Sequence, residues 1–293
     1  MPPMRSRSLT GKVAVVTGGM RGIGKATAVA LTRAGATVAI GDIDIPSITD
    51  GAAKHSAALC LQLDVSNADG FVSFLDEVEA RLGPLDILIN NAGIMPTGLI
   101  EHEDPRSTER AVQINLVGVI NGTREAIRRM KPRGRGHIVN MSSLTARVPG
   151  AGVATYSATK AGVLAFCESA AIELAGTGID ITVVQPSLVR TELVSGIAGG
   201  DTLFACGPED VADRVVDRLR RPRFQAFVPP AIGAAAFVNH AMPARVRHTL
   251  ARLTKADRMI VELDSAAHAS YDERLRRTVF ESRGGSTGGR GEE

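Results

Sequence analysis

Short apolar runs alternate with longer amphipathic stretches along the first 230 or so residues of the chain. Runs of this kind, rich in Val and Ile, are typical of strands buried on both faces of a parallel sheet. The predicted strands are VAVVT (13–17), TVAIGD (37–42), ALCLQLD (58–64), DILIN (86–90), HIVNMSS (137–143), IDITVVQP (179–186) and RFQAFVP (223–229). Because helical patterns separate consecutive strands, the pattern predicts an α/β fold with a doubly wound parallel sheet of about seven strands.

The intervening helices are predicted over residues 25–34, 71–83, 107–130, 156–175 and 208–220. Beyond residue 230 the pattern changes to an apolar and then basic stretch, and the last residues have the composition of a disordered segment. We therefore predict a main domain over 10–230, a helical C-terminal extension over 231–280 and a disordered tail over 283–293.

The region from 214 to 258, which includes the start of that extension, is basic, with ten Lys or Arg and two Asp. Four interpretations stay open for it: a cover over the mouth of a site, a subunit interface, a contact with an anionic membrane surface, or a solvated helix face.

Composition and charge narrow the class of protein. The formal net charge of +3 over 293 residues gives no argument for nucleic-acid binding. Cys60, Cys167 and Cys206 are far apart and form no CxxC pair, and the six histidines show no ligand spacing, so we expect no metal site. The N-terminal residues lack the apolar run of a signal peptide, and no stretch is apolar enough to span a membrane. We predict a cytoplasmic protein.

A glycine-rich turn joins the first predicted strand to the first helix. Gly18, Gly22 and Gly24 stand where a tight turn, a close backbone approach to a pyrophosphate and close helix packing are needed. The N–H groups at the helix start then point at the phosphates. A P-loop needs Ser or Thr directly after its Lys, whereas Ala26 follows Lys25, which argues against an ATPase or kinase. The turn therefore predicts a Rossmann-type dinucleotide site.

Asp42 stands at the end of the second predicted strand, eighteen positions after Gly24. A carboxylate there can accept hydrogen bonds from the adenosine ribose hydroxyls, and it repels a 2′-phosphate. Arg21, inside the glycine-rich turn, favours the opposite choice because a guanidinium can pair with that phosphate. On balance the sequence favours NAD over NADP.

Tyr156 and Lys160 are four residues apart, so on a helix they lie one turn apart on the same face. An ammonium beside a phenol favours the phenolate, and we therefore expect Tyr156 to exchange protons closer to neutral pH than its ordinary pKa near 10 allows. Such a group suits general acid and base catalysis. Ser143, thirteen residues earlier, is placed to hydrogen-bond a carbonyl or alcohol oxygen, with Ser142 as its nearest competitor.

Several motifs together resemble the short-chain dehydrogenase/reductase family over roughly residues 10–230. They are TGGMRGIG (17–24), Asp64 with Val65, NNAG (90–93), Asn115, Ser143 and YSATK (156–160). The resemblance implies a Rossmann-type catalytic domain that binds NAD(P). The cofactor contacts that it implies are Gly18, Arg21, Gly22, Ile23, Gly24, Asp42, Asp64, Val65, Asn91, Ala92, Gly93, Tyr156, Lys160, Val189 and Thr191.

The resemblance also implies catalytic roles. Tyr156 is expected to be the acid and base, Lys160 to lower its pKa and bind the nicotinamide ribose, and Ser143 to orient the substrate oxygen. Asn115 resembles the family's Asn that holds a water in a proton relay. After the sixth strand the family usually has Pro-Gly, whereas this chain has Pro-Ser, with Ser187 in the Gly place.

We therefore predict an NAD(P)-dependent oxidoreductase that interconverts a secondary alcohol and a ketone by hydride transfer. The segment 191–207 is Gly-rich and predicts a lid, whose apolar residues indicate a bulky hydrophobic substrate; these are Leu193, Val194, Ile197, Leu203 and Phe204. The alternatives are a 3-oxoacyl thioester reductase, whose basic extension receives an acidic carrier protein, and a non-catalytic cofactor-binding regulatory protein. The resemblance further implies a homo-oligomer.

Overall fold

The computed structural model describes residues 6–44, 57–191, 193, 205–253, 271 and 273–276. Its strands are β1 (Val13–Thr17), β2 (Thr37–Asp42), β3 (Leu59–Gln62), β4 (Leu85–Asn90), β5 (Gly136–Met141), β6 (Ile179–Pro186) and β7 (Gln225–Val228). They form one sheet in the order β3-β2-β1-β4-β5-β6-β7, and all neighbouring pairs are parallel. The predicted seven-stranded, doubly wound sheet is confirmed.

Helices cover both faces of this sheet. They are α1 (Gly22–Arg33), α2 (Ala68–Leu82), α3 (Pro105–Val112), α4 (Gly118–Met130), α5 (Ala154–Glu173), α6 (Pro208–Arg220), α7 (Ile232–Ala241) and α8 (Ala244–Leu253). One apolar core contains Leu31 of α1 and Val215 of α6, and the other contains Phe71 of α2 and Cys167 of α5. Since both faces are covered, β1 and β4 are buried along their whole length.

The long helix predicted over 107–130 begins earlier and is interrupted. Asp104 caps α3 by accepting a hydrogen bond from the Arg106 amide, and Pro105 is its first residue. Between α3 and α4 the turn Gln113–Val117 is a π-helix. A π-turn widens the helix by one residue per turn and often marks a functional site. Its centre is Asn115.

The C-terminal extension is helical in the parts that the structure describes: α7, α8, and residues 271 and 273–276. α7 packs through Ile232 and Ala236 against Phe227 of β7. None of the described helices has the length and apolar character needed to cross a membrane. The tail at 283–293 and the lid residues Val194, Ile197, Leu203 and Phe204 lie outside the described residues.

Candidate active site

A cleft of about 1860 Å³ runs along the carboxyl ends of the strands. Pockets for a single small ligand are usually below about 1000 Å³, so this cleft has room for a dinucleotide and a second molecule. It lies where the chain order reverses between β1 and β4, the usual ligand position in such sheets. The predicted site residues that line it are Gly18, Arg21, Gly22, Ile23, Asp42, Asp64, Val65, Asn91, Ala92, Gly93, Ser143, Tyr156, Lys160, Val189 and Thr191.

Gly24 and Asn115 stand directly behind this lining. A Cβ atom at residue 24 would lie 2.1 Å from the Gly18 carbonyl oxygen and 2.5 Å from Nδ2 of Asn91. Gly18 has a φ of 62°, and a Cβ there would lie 2.8 Å from Cα of Ala92. The glycine-rich turn therefore packs backbone against backbone, with no space for a side chain at these two positions.

Thr17 and Asn91 fix the turn to the end of β4. Oγ1 of Thr17 accepts hydrogen bonds from the backbone N–H groups of Asn91 at 3.0 Å and Ala92 at 3.1 Å. Nδ2 of Asn91 donates to the carbonyl oxygens of Thr17 and Gly18, both at 3.0 Å. The sequence interpretation missed Thr17, whose place as the last residue of β1 before the first glycine was the available signal.

Asp42 ends β2 beside the turn, and its carboxylate accepts hydrogen bonds from the Met20 amide at 3.1 Å and the Asp44 amide at 3.3 Å. Burial nevertheless raises the pKa of Asp42 above its ordinary value. Arg21 forms an ion pair with Asp44, a residue that the sequence interpretation also missed. The guanidinium that favoured NADP in the sequence therefore already has a carboxylate partner.

Asp64 is held at the cleft by residues from its own turn and from α3. Its carboxylate accepts hydrogen bonds from Oγ of Ser66 at 2.6 Å and from Nη2 of Arg110 at 2.8 Å. Although burial acts to raise it, these bonds lower the pKa of Asp64 below its ordinary value. Next to it, Val65 packs against Gly118, where a Cβ would lie 2.6 Å from Cγ2 of Val65.

Ser143, Tyr156 and Lys160 meet on the other side of the cleft. The Ser143 hydroxyl lies close enough to the Tyr156 phenol to act on its pKa. Nζ of Lys160 lies 5.6 Å from the Tyr156 ring centroid and donates to the Met141 carbonyl at 3.0 Å. The neighbouring Ser142 instead donates to the backbone carbonyl of Lys160 at 2.9 Å. Of the two serines, Ser143 is therefore the one that faces the phenol.

The pKa values of Tyr156 and Lys160 differ from the expectation. Burial raises the pKa of Tyr156 to about 12, although the neighbouring Ser143 hydroxyl acts to lower it. Burial also lowers the pKa of Lys160 to about 8. The expected shift of Tyr156 toward neutral pH is therefore wrong for this structure, because the phenol and the ammonium both lose solvation when they are buried.

Asn115 connects the segment after β4 with α5. Its Oδ1 accepts from the Ile94 amide at 2.8 Å, and its Nδ2 donates to the Ile94 carbonyl at 2.8 Å and to Oγ1 of Thr159 at 3.2 Å. Gly93 passes close by, since a Cβ there would lie 3.1 Å from Oδ1 of Asn115 and 3.5 Å from Nζ of Lys160. Asn115 thus positions backbone beside Lys160, and its role in holding a water stays a prediction.

The segment after β6 closes the cleft opposite the glycine-rich turn. Val189 pairs with Cys206 in a short parallel bridge, and the amide of Ser187 donates to the Val228 carbonyl at 2.8 Å. Thr191 faces Gly22, where a Cβ would lie 3.4 Å from Cγ2 of Thr191. Backbone hydrogen bonds therefore hold this segment in place although position 187 is Ser, where the family usually has Gly.

The C-terminal extension adds a wall that the sequence interpretation did not resolve. The amide of Met95 donates a 2.7 Å hydrogen bond to the hydroxyl of Tyr271, which is 8% exposed and lines the cleft. The guanidinium of Arg147 lies over the ring of Phe237 of α7, with Cζ of Arg147 4.6 Å from the ring centroid. Contacts between residues this far apart in the chain leave no local signal in the sequence.

Comparison with known proteins decides the family of the chain. Residues 12–200 match the family described as short chain dehydrogenase. The chain belongs to the short-chain dehydrogenase family. The match ends before α6. Helices α7 and α8 and the Tyr271 segment (residues 271 and 273–276) therefore lie outside the matched part of this short-chain dehydrogenase.

Two relatives are matched over most of their own length. The chain is 37% identical over 244 residues to the cis-4-hydroxycyclohexanecarboxylate dehydrogenase of Sinomonas cyclohexanicum, covering 80% of this chain and 94% of that protein. It is 34% identical over 218 residues to the 3-alpha-(or 20-beta)-hydroxysteroid dehydrogenase of Mycobacterium tuberculosis, covering 74% and 80%. Other relatives are longer: the chain spans 44% of the mycobacterial oxidoreductases that it matches at 34% identity.

Among solved structures, a short-chain dehydrogenase/reductase from Burkholderia phymatum in complex with NAD superimposes with a TM-score of 0.71. The sequences are 24% identical, and the match covers 80% of this chain and 94% of that one. This likeness shows that the two proteins share a fold.

Proposed function

We propose that this short-chain dehydrogenase is an NAD-dependent oxidoreductase that interconverts a hydrophobic secondary alcohol and its ketone. The observation that carries the proposal is that Ser143, Tyr156 and Lys160 line one side of a cleft large enough for two molecules, with Nζ of Lys160 5.6 Å from the Tyr156 ring centroid. A hydroxyl pair with a nearby cation suits an oxygen that must be polarised and must exchange a proton.

The nucleotide half of the cleft fits a nicotinamide dinucleotide. Gly18 and Gly24 leave no room for side chains between the turn and the strand ends, and α1 begins at Gly22, so its first N–H groups are available to a pyrophosphate. Asp42 offers carboxylate oxygens to ribose hydroxyls. When bound, the nicotinamide ring accepts or supplies the hydride.

Asp42 and Asp44 at the end of β2 support NAD over NADP. A 2′-phosphate at this position would meet the carboxylate of Asp42, and like charges at close range are unfavourable. Arg21 could offset that repulsion, but its guanidinium is paired with Asp44. We therefore propose that this end of the cleft selects the nucleotide without the extra phosphate.

Tyr156 exchanges the proton of the substrate oxygen in this proposal. In reduction its phenol donates a proton to the developing alkoxide, and in oxidation its phenolate accepts the alcohol proton. Ser143 hydrogen-bonds the same oxygen and keeps it beside the phenol. With a pKa of about 8, Lys160 is protonated at neutral pH, and its Nζ lies 5.6 Å from the centroid of the Tyr156 ring.

The other half of the cleft is apolar and supports a hydrophobic substrate. Met95 and Val153 pack with Tyr156 and Leu193, and Leu144 and Val148 pack with the first turn of α7. The names of two relatives specify a hydroxysteroid and a hydroxycyclohexanecarboxylate as their substrates. We propose a cyclic secondary alcohol or ketone for this chain as well.

The test is a panel of cyclic alcohols, their ketones and 3-oxoacyl thioesters, each assayed with NAD(H) and NADP(H) by the absorbance of the reduced nicotinamide. We expect turnover of the cyclic compounds and a preference for NAD of about ten-fold or more, the size of one hydrogen bond to a charged group. Turnover of thioesters alone would favour a 3-oxoacyl thioester reductase. Tight NAD binding without turnover of any compound would favour a regulatory protein.

We also propose a peripheral membrane contact through α8. Outside the cleft lining, Val246 and Leu253 of α8 are 49% and 77% exposed, and the neighbouring Arg245 is exposed as well. An apolar face flanked by cations is suited to an anionic lipid surface. Co-sedimentation with anionic vesicles at low salt is the test, and a chain that stays in the supernatant contradicts the contact.

A further inference from the structure

The C-terminal extension contributes a wall with several cations to the cleft. The residues of α8 that line the cleft are Arg247, His248, Leu250, Ala251 and Arg252. Residues 247 and 251, and likewise 248 and 252, are four apart and therefore neighbours on the helix surface. α8 thus brings two arginines and a histidine to the cleft lining.

A second segment brings a further cation to this wall. The hydrogen bond between the Met95 amide and the Tyr271 hydroxyl anchors the helical residues 271 and 273–276 near the segment that follows β4. Arg274 and Leu275 follow three and four residues later on the same helical face, and both line the cleft. The contact with Met95, whose neighbours in the core are Val153 and Tyr156, places this segment on the substrate side.

The acids that line the cleft stand elsewhere. Among the lining residues that the structure describes, the carboxylates are Asp42, Asp44 and Asp64, all on the nucleotide side. Asp44 is paired with Arg21, and Asp64 with Arg110. Within the described part of the chain, no ion pair joins any of these carboxylates to Arg247 or Arg252 of α8.

Arg247 is the member of this wall with an unmet hydrogen bond. Its Nε is buried and has no acceptor within hydrogen-bond distance in the described part of the chain. A buried donor without a partner is unfavourable, and a guanidinium is matched in shape to a carboxylate, which it can bind through two parallel hydrogen bonds. A carboxylate in the cleft would supply the missing acceptor.

We propose that Arg247 binds a carboxylate of the substrate, so that the substrate is a hydroxy acid or oxo acid with an apolar body. This inference rests on the proposed function. The apolar residues Leu144, Val148 and Ile232 accommodate the body, and the hydroxyls of Ser143 and Tyr156 meet the reacting oxygen. Arg247 determines specificity and takes no part in the proton transfer.

The first experiment compares two probes of the same shape, the charged cyclohexanecarboxylate and the neutral cyclohexanecarboxamide, by calorimetric titration into the NAD-loaded protein. We expect the acid to bind about ten-fold or more tightly than the amide, as expected for a hydrogen bond to a charged group. In Arg247→Met this difference should disappear. The matched control is Arg245→Met, which changes an exposed cation on the same helix outside the cleft lining and should keep the difference.

Circular dichroism melting of each variant separates loss of the fold from loss of the site. A second variant, Arg247→Lys, keeps the charge without the two-pronged guanidinium and should bind the acid with intermediate affinity. Equal binding of acid and amide by the wild type would overturn the proposal, as would an unchanged preference in Arg247→Met.

Turnover of 4-hydroxycyclohexanecarboxylate and its amide then distinguishes this proposal from the proposed function. We expect Arg247→Met to raise KM for the acid about ten-fold or more, to leave kcat nearly unchanged and to leave the amide unaffected. Selective binding of the acid without turnover would contradict the proposed function and support the site. Turnover of acid and amide at equal efficiency would contradict the site and support the function.

Discussion

Lys160 is a buried cation whose charge makes folding less favourable at neutral pH. Burial lowers its pKa from 10.5 to about 8. Between these two values the unfolded chain keeps the proton and the folded chain has released it, so the folded state gains stability as the pH rises through this window. The gain is absent below pH 8, where both states are protonated.

We therefore expect the wild type to gain stability relative to Lys160→Met above pH 8, by up to about 1.4 kcal/mol per pH unit. Urea unfolding between about pH 7 and pH 9 measures the difference, and this range stays below the ordinary pKa of Tyr156. Lys25→Met, which replaces an exposed lysine, is the control and should show no such pH dependence. Parallel pH curves for wild type and Lys160→Met would contradict the buried charge.

Asp42 is expected to set the choice of nucleotide. In Asp42→Ala the carboxylate that accepts from ribose hydroxyls is lost, so kcat/KM with NAD should fall about ten-fold or more. The value with NADP should rise, because the repulsion of the 2′-phosphate is removed. Steady-state kinetics with both nucleotides measure this change, and an unaltered preference would place the determinant elsewhere.

At the scale of elements, the glycine-rich turn depends on the absence of side chains. Gly24→Ala would place a Cβ 2.1 Å from the Gly18 carbonyl, and backbone must move to relieve that contact. We expect a loss of about 1–3 kcal/mol in unfolding free energy, typical of overpacking, together with weaker NAD binding. Urea unfolding and NAD titration are the measurements.

The control for Gly24→Ala is Arg33→Ala, at the exposed far end of the same helix, which should change neither quantity. Wild-type NAD affinity in Gly24→Ala would show that the turn tolerates a side chain and that its glycines serve another purpose.

The strands and most helices were predictable because apolar runs and amphipathic periods are local properties of the sequence. Strand β6 over Ile179–Pro186 and helix α6 over Pro208–Arg220 have the bounds expected from their patterns. The π-turn around Asn115 was not predicted, since it is stabilised by bonds from Asn115 to Ile94 and Thr159. Those partners are distant in sequence, and local pattern carries no information about them.

The candidate site likewise contains residues that local sequence patterns mark and residues that only contacts in the fold reveal. The nucleotide residues and the Ser143, Tyr156 and Lys160 group were recognisable because motif spacing marks them. The pKa of Tyr156 was misjudged because burial, which the sequence does not report, raises it more than the Ser143 hydroxyl lowers it. Asp44 and Arg247 were missed because their importance comes from what lies beside them in the fold.

For the whole molecule, the contact between Met95 and Tyr271 connects positions 176 residues apart. In Tyr271→Phe the ring is kept and the hydrogen bond is lost, so we expect about 1 kcal/mol less stability and a higher KM for substrate. NAD affinity should be unaffected, since the contact lies on the substrate side. Kinetics and NAD titration of the variant measure this, and a reduced NAD affinity with normal KM would contradict the placement of the segment.

The predicted homo-oligomer stays a prediction.

The most direct test of the proposed chemistry is the rate at which NAD is reduced by a cyclic secondary alcohol in Tyr156→Phe and in the wild type. Removing one hydroxyl removes the proton acceptor and leaves the glycine-rich turn untouched. We predict that turnover falls by about 100-fold or more while NAD binds as in the wild type, the loss expected for a general acid and base. Wild-type turnover in Tyr156→Phe would contradict the assignment of Tyr156 and the account built on it.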